Sequence, residues 1–233
     1  MLTDAQRIRR LPWLIGADAL NIFFISLTFA GPIFVLFLDE LGLDSGQIGL
    51  LLSLVPFSGT LVLVVGPFAA RAGYKRVFIT GRTVRTIPIA LILLTPTIQD
   101  RYGSNGAFYY VGSMILLFAI LRAMGESGNL PWRNDVIPNA IRGKIAAISG
   151  MINRFSWIAV GLGAGYLIEH VTGLQSFMVL MAIGVAFGLT SALFFGQVPA
   201  ENETESAPSQ TEHWAGIKTA LTDRRFAVFM MSF

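Results

Sequence analysis

The chain has 233 residues, 54% hydrophobic and 13% charged, with a formal net charge of +3 and no cysteine. Soluble domains carry about 25% charged residues, so this composition, with a mean hydropathy of +0.64, excludes a soluble globular domain and points to the membrane. Without cysteine there is no disulfide frame and no thiolate metal site, and no metal or cofactor is expected.

Residues 1–10 form a short polar start with Arg7, Arg9 and Arg10. An apolar run of about 28 residues follows, from 11 to 38. A bilayer core of about 30 Å takes about 20 helical residues, so this run spans. A cleaved signal peptide has an apolar region of only about 7–15 residues, and five more runs follow here. They cover 47–69, 77–98, 107–131, 145–168 and 174–196. Each is about 22–25 residues, enough to span with modest tilt.

The connecting loops are sorted by charge. Arg7, Arg9, Arg10, Arg71, Lys75, Arg76, Arg133, Arg142 and Lys144 fall on one side, followed by Lys218, Arg224 and Arg225. The other side has Arg101 beside Asp39, Glu40, Asp44, Asp100 and Glu169. Short basic loops stay in the cytoplasm, so both ends of a six-span unit are expected there. The basic balance is then topology, and nucleic acid is not an expected partner.

Beyond residue 196 the chain turns polar, and 197–223 reads as a cytoplasmic linker. The sequon at Asn202 would face the cytoplasm and stay unmodified. Residues 213–222 suit a short amphipathic helix. Residues 224–233, Arg224-Arg225 and then FAVFMMSF, look like the truncated start of a seventh span. The expected organisation is a six-helix domain over 1–196, a linker, and a fragment end.

One stretch, residues 121–144, carries most of the chemistry. Read as one helix, it sets Arg122, Glu126, Asn129 and Arg133 at i, i+4, i+7 and i+11 on one face. Each charge in a lipid-embedded helix costs about 2.5–3.5 kcal/mol on insertion scales, so that face must meet partners or water. It is expected to line a transport path.

Six spans divide into two sets of three with opposite orientation, the inverted-repeat plan that places binding sites near the midplane on corresponding helices. The first helices of the two sets are spans 1 and 4. Span 1 carries Asp18 and Asn21, with Thr28 on the same face, and span 4 carries Arg122, Glu126 and Asn129. From a rise of 1.5 Å per residue, Asp18 and Glu126 lie about 9–10 Å and Arg122 about 5 Å from the centre, all toward the cytoplasm. Asp18 and Arg122 are therefore expected to pair, leaving one acid in excess as a proton site.

Other polar residues in the spans are weaker signals. Ser53 and Thr60 in span 2, and Asn153 and Ser156 in span 5, more often bond their own backbone than a ligand. Pro56 and Pro88 are expected to bend their helices. Gly161, Gly163 and Gly165 are expected to let helices approach closely.

The loop after span 2 reads Gly66-Pro67-Phe68-Ala69-Ala70-Arg71-Ala72-Gly73-Tyr74-Lys75-Arg76. It resembles the signature of the major facilitator superfamily at Gly66, Arg71, Gly73, Lys75 and Arg76, and departs from it at Ala70, where the family usually has aspartate. Six spans and a long linker resemble that family's N-terminal half. The resemblance implies an all-helical membrane protein and a loop that latches the inner gate. With Ala70 in place of the acid, Asp135 is the local carboxylate expected to pair with Arg71 or Arg76. Arg122 is similar to the arginine of the R-x-x-x-G motif in proton-driven members, although Gly125 and Gly128 miss that spacing, by one residue and by two.

The expected function is a secondary active transporter of a small solute, a symporter or antiporter coupled to an ion or proton. Its partners would be the solute, the bilayer, and a missing C-terminal half or a second copy. A non-transporting six-helix membrane protein, such as an assembly or lipid-binding subunit, is the alternative. An intramembrane serine enzyme fits Gly125-Glu126-Ser127-Gly128 by pattern, but the histidines, His170 and His213, are placed too far away to serve as base. The path residues are Asp18, Asn21, Arg122, Glu126 and Asn129. The gate-loop residues are Gly66, Arg71, Gly73, Lys75, Arg76 and Asp135.

Overall fold

Prolines and a few positive-φ glycines decide where this apolar chain breaks into helices. The computed structural model describes residues 4–171 and 173–198, and no strand occurs among them. Apart from residues 197–198, the expected linker, the 213–222 helix and the seventh-span start lie outside the described residues.

Helix α1 (Asp4–Thr28) starts inside the expected polar segment. It stops because Pro32 has no N–H to return toward Thr28, and Gly31 turns the chain with φ 93. Helix α2 (Pro32–Glu40) completes the first apolar run, which is thus two helices rather than one. Helix α3 (Ser45–Phe57) opens on a reciprocal cap. Asp44 Oδ1 accepts from the N–H groups of Gly46 and Gln47 at 2.8 and 2.9 Å, and Gln47 Oε1 accepts from Asp44 N–H at 3.1 Å. A 3₁₀ turn at Ser58–Thr60, just after Pro56, separates α3 from α4 (Leu61–Ala72).

Helices α5 (Tyr74–Val84) and α6 (Thr86–Ile92) share the third run. Pro88 cannot bond to Val84, nor Pro96 to Ile92, and the breaks fall directly after those two residues. Helix α7 (Thr95–Val136) bends at Gly103, where φ is 69, and then runs on past the expected loop start at residue 132. After a 3₁₀ turn at Asn139–Ile141 come α8 (Arg142–His170) and α9 (Leu174–Gly196).

Among the described residues four segments are long and apolar enough to cross a membrane: Ile8–Glu40, Thr95–Val136, Asn139–His170 and Leu174–Gly196. The runs 47–69 and 77–98, each expected as one span, are helical but interrupted.

Helices α1 and α9 pack antiparallel and closely. A Cβ on Gly188 would lie 2.7 Å from the Phe24 ring, and one on Gly184 2.6 Å from Thr28 Cγ2. Ser191 Oγ donates to the Ala17 carbonyl at 2.8 Å across the same seam. One apolar core gathers around Phe24, Phe34, Phe37, Phe118 and Phe177. A second, around Leu14, Phe78, Trp132 and Phe195, joins the starts of α1 and α5 to the ends of α7 and α9. Those ends form the basic end of the bundle. There Lys75 Nζ donates to the Gly196 carbonyl at 3.2 Å and Arg142 Nη2 to the Asn134 carbonyl at 3.1 Å. Both cations sit where helix carbonyls are unpaired.

Helix α8 is the least covered, with only Ser156, Val160 and Ala164 buried. A Cβ on Gly161, Gly163 or Gly165 would meet nothing within 4 Å, so the close helix approach expected at these glycines is not made.

Candidate functional site

The site begins with a helix crossing that only glycines permit. A Cβ on Gly81 of α5 would stand 2.5 Å from Gly125 Cα of α7, and one on Gly128 would collide with the Tyr74 carbonyl. Backbones this close bring the next residue along each helix together. Arg82 Nη2 donates to Glu126 Oε1 at 3.2 Å. The off-pattern glycines of the sequence, Gly125 and Gly128, are thus the contact surface of α7 on α5.

From Glu126 the polar contacts run in a closed ring through three helical segments. Arg85, at the α5–α6 junction, places Nη1 3.7 Å from Glu126 Oε1 and donates through Nη2 to Asn21 Oδ1 at 2.6 Å. Asn129 Nδ2 donates to Glu126 Oε2 at 2.7 Å, and Arg133 Nε donates to Asn129 Oδ1 at 2.8 Å. Arg133 closes the ring with a bidentate pair to Asp18, Nη1 to Oδ2 at 2.9 Å and Nη2 to Oδ1. Asp18 and Asn21 are one turn apart on α1. The fork geometry of this pair makes it the strongest contact of the ring.

Asp18, Asn21, Glu126 and Asn129 therefore meet in one network, and Arg122 does not join it. Its Nη1 lies 3.5 Å from the Val55 carbonyl near the C-terminus of α3. Asp18 pairs with Arg133 rather than Arg122. Helix α7 continues to Val136 instead of giving way to a loop, and this carries Arg133 to the depth of Asp18. The expected excess acid is absent: Asp18 pairs with Arg133, and Glu126 is shared by Arg82 and Arg85.

Arg82 and Arg85 were not among the residues expected from the sequence. They are 6% and 2% exposed. The signal was present as two arginines three residues apart inside the run 77–98, on one face of a helix. Aromatic rings cover both guanidinia. Arg82 Cζ lies 4.6 Å from the Phe78 centroid and 5.0 Å from that of Phe195; Arg85 Cζ lies 5.2 Å from Phe24 and 6.0 Å from Phe118. A desolvated cation over such a ring gains about 2 kcal/mol. That is less than the several kcal/mol of losing water, so the rings alone do not offset burial.

The weaker polar residues bond their own helices, as Thr28 Oγ1 does to Phe24 O at 2.6 Å and Ser53 Oγ to Leu50 O at 2.7 Å. Ser127 Oγ likewise donates to Met124 O at 2.6 Å. His170 stacks on Tyr166 at the opposite end, 4.1 Å between ring centroids.

In the loop, α4 ends at Ala72 and α5 starts at Tyr74, so Gly73 alone makes the turn, with φ 91. Gly66 lies inside α4, and Lys75 reaches the end of α9. Arg71 and Arg76 are exposed, and neither forms an ion pair with Asp135. That expected pairing is not made; Asp135 sits in the last turn of α7 and its interaction lies elsewhere.

No curated protein and no solved structure matches the chain. The family model described as Major Facilitator Superfamily matches residues 19–233, which takes in the α4–α5 loop, the ring except Asp18, and the four membrane-length segments among the described residues except the start of the first. The members of that family are membrane transporters rather than enzymes. This chain belongs to the major facilitator superfamily and is a multi-pass integral membrane protein of its transporter class.

Proposed function

We propose that the chain is a secondary active transporter that moves a small solute by alternating access, coupled to an ion or proton gradient as a symporter or antiporter. Six crossing segments form two inverted repeats of three, with runs 47–69 and 77–98 crossing as interrupted helices. The basic end faces the cytoplasm of the cell membrane. Further helices, from a C-terminal half or a second copy, complete the path.

The observation that carries this reading is the ring of Asp18, Asn21, Arg85, Glu126, Asn129 and Arg133. It joins α1 and α7, the first helices of the two proposed repeats, through side chains instead of a dry apolar seam. Ionisable groups at this depth are retained at a cost and mark transport paths in membrane proteins. Polar contacts between helices can be exchanged for water or solute as the helices move, which an apolar seam cannot do. Glu126 and Arg133 are also partly open, with side chains 28% and 23% exposed.

The test is uptake by the full-length protein in proteoliposomes under imposed proton and sodium gradients. Asp18→Asn and Glu126→Gln are expected to abolish gradient-driven uptake while solute exchange at equilibrium persists. If both variants keep the gradient and pH dependence of the parent, coupling through these acids is wrong.

A further inference from the structure

The charges around the ring do not cancel. Asp18 is matched by Arg133, and Glu126 is shared between Arg82 and Arg85. Among the described residues the hydrogen-bond partner of Arg122 is the neutral Val55 carbonyl, at 3.5 Å. A fifth arginine, Arg154, lies twelve positions into α8, about 18 Å along it at 1.5 Å per residue. It is exposed, and among the described residues no hydrogen bond or ion pair reaches it. Among the described residues, three guanidinium charges of the membrane-embedded part thus have no carboxylate of their own.

The two buried arginines repeat the pattern atom by atom. Arg82 Nε and Nη1 and Arg85 Nε are buried without a hydrogen-bond partner. The rings of Phe78, Phe195, Phe24 and Phe118 lie against these guanidinia. They supply a quadrupole but no net charge. The local potential stays positive.

We infer that the transported solute supplies the missing charge: it is a small organic anion carrying a carboxylate or phosphate group, and Arg122 binds that group. The inference rests on the transporter reading above and names its substrate class. Arg122 is half-buried, so a solute can reach it. Its planar fork matches two oxygens of a carboxylate or phosphate, a stronger contact than the long one it makes to a carbonyl. Arg82 and Arg85 are buried under aromatic rings and do not touch the solute; they keep the field around Arg122 positive. Arg154 adds to that field from α8.

The experiment compares anions with their uncharged parents. Purified full-length protein is heated in detergent with glycerol 3-phosphate, glucose 6-phosphate, succinate or benzoate, and with glycerol, glucose or choline, at constant ionic strength. Counterflow of each solute is then measured in proteoliposomes. At least one anion is expected to raise the unfolding temperature while its neutral parent and choline do not. Arg122→Gln is expected to weaken that anion's binding at least about tenfold, and Arg122→Lys to restore part of it. The exposed variant Arg101→Gln, outside the path and the gate loop, should bind as the parent does. If Arg122→Gln does not fold, Arg122→Lys serves alone, with weakened but measurable anion binding as the supporting result. Counterflow of a neutral or cationic solute without anion binding would overturn the anion inference and leave the transporter reading standing. Anion binding at Arg122 with no counterflow of any solute would support the site and sink the transporter reading. Absence of binding by every anion overturns the inference.

Discussion

Gly81 and Gly125 meet backbone to backbone, and that one contact sets Arg82 3.2 Å from Glu126. The chemistry of the site follows from the absence of two side chains. A Cβ on Gly81 would lie 2.5 Å from Gly125 Cα, whereas the nearest atoms to a Cβ on Gly125 are 3.4 Å away. Gly81→Ala is expected to destabilise the protein by about 1–3 kcal/mol, and Gly125→Ala by clearly less. Gly163→Ala, with open space around it, should be neutral or stabilising by about 0.5–1 kcal/mol. Unfolding curves in detergent give the order; equal losses at Gly81 and Gly163 would refute the crossing.

Removing a charge should hurt according to its sign. Glu126→Gln takes away the acid shared by Arg82 and Arg85 and deepens the imbalance, while Arg82→Gln relieves it. Breaking a buried pair by removing one partner costs about 3–5 kcal/mol, and that figure applies to Glu126→Gln; Arg82→Gln is expected to cost less than half as much. Thermal unfolding of the two variants, side by side, decides. A larger loss in Arg82→Gln would contradict the charge count.

Much of this site was legible because polar residues stand out in apolar runs. Asp18, Asn21, Glu126 and Asn129 were conspicuous for that reason, and all four are in the ring. Their partners were harder to read. Depth judged from run centres matched Asp18 with Arg122, but α7 continues to Val136 and presents Arg133 instead. Arg82 and Arg85 do not stand out in the sequence because two arginines still leave the run 77–98 apolar enough to span. Helix breaks at Gly31-Pro32 and before Pro88 follow from local chemistry. The Gly81–Gly125 crossing depends on which helices are neighbours, and no local pattern carries that.

Asp18 and Arg133 couple α1 to α7 across 115 positions of sequence. Asp18→Asn and Arg133→Gln each leave one charge without its partner, so the singles should cost more than half of the double each. The interaction energy in a double-mutant cycle is expected at about 1–3 kcal/mol. A value near zero would make the pair incidental.

Gly73 is the whole connection between α4 and α5, at φ 91. Gly73→Ala forces a side chain into a left-handed backbone at a cost of about 1–2 kcal/mol. Arg71→Gln, at an exposed position, should stay within about 0.5 kcal/mol of the parent. Both are read from unfolding in detergent, and a destabilised Arg71→Gln would show that the loop arginine has a partner after all.

The central claim is that the face carrying Glu126, Asn129 and Arg133 lines a water-accessible path that moves during transport. The chain has no cysteine, so a single introduced thiol reports cleanly. Asn129→Cys, on that face, and Ile120→Cys, exposed on the opposite side of α7, should be treated in membranes with a membrane-impermeant thiol reagent. The account predicts that Cys at 129 is labelled, that its rate changes when a gradient is imposed, and that Cys at 120 stays unlabelled in lipid. Equal protection at both positions, with and without a gradient, would contradict it.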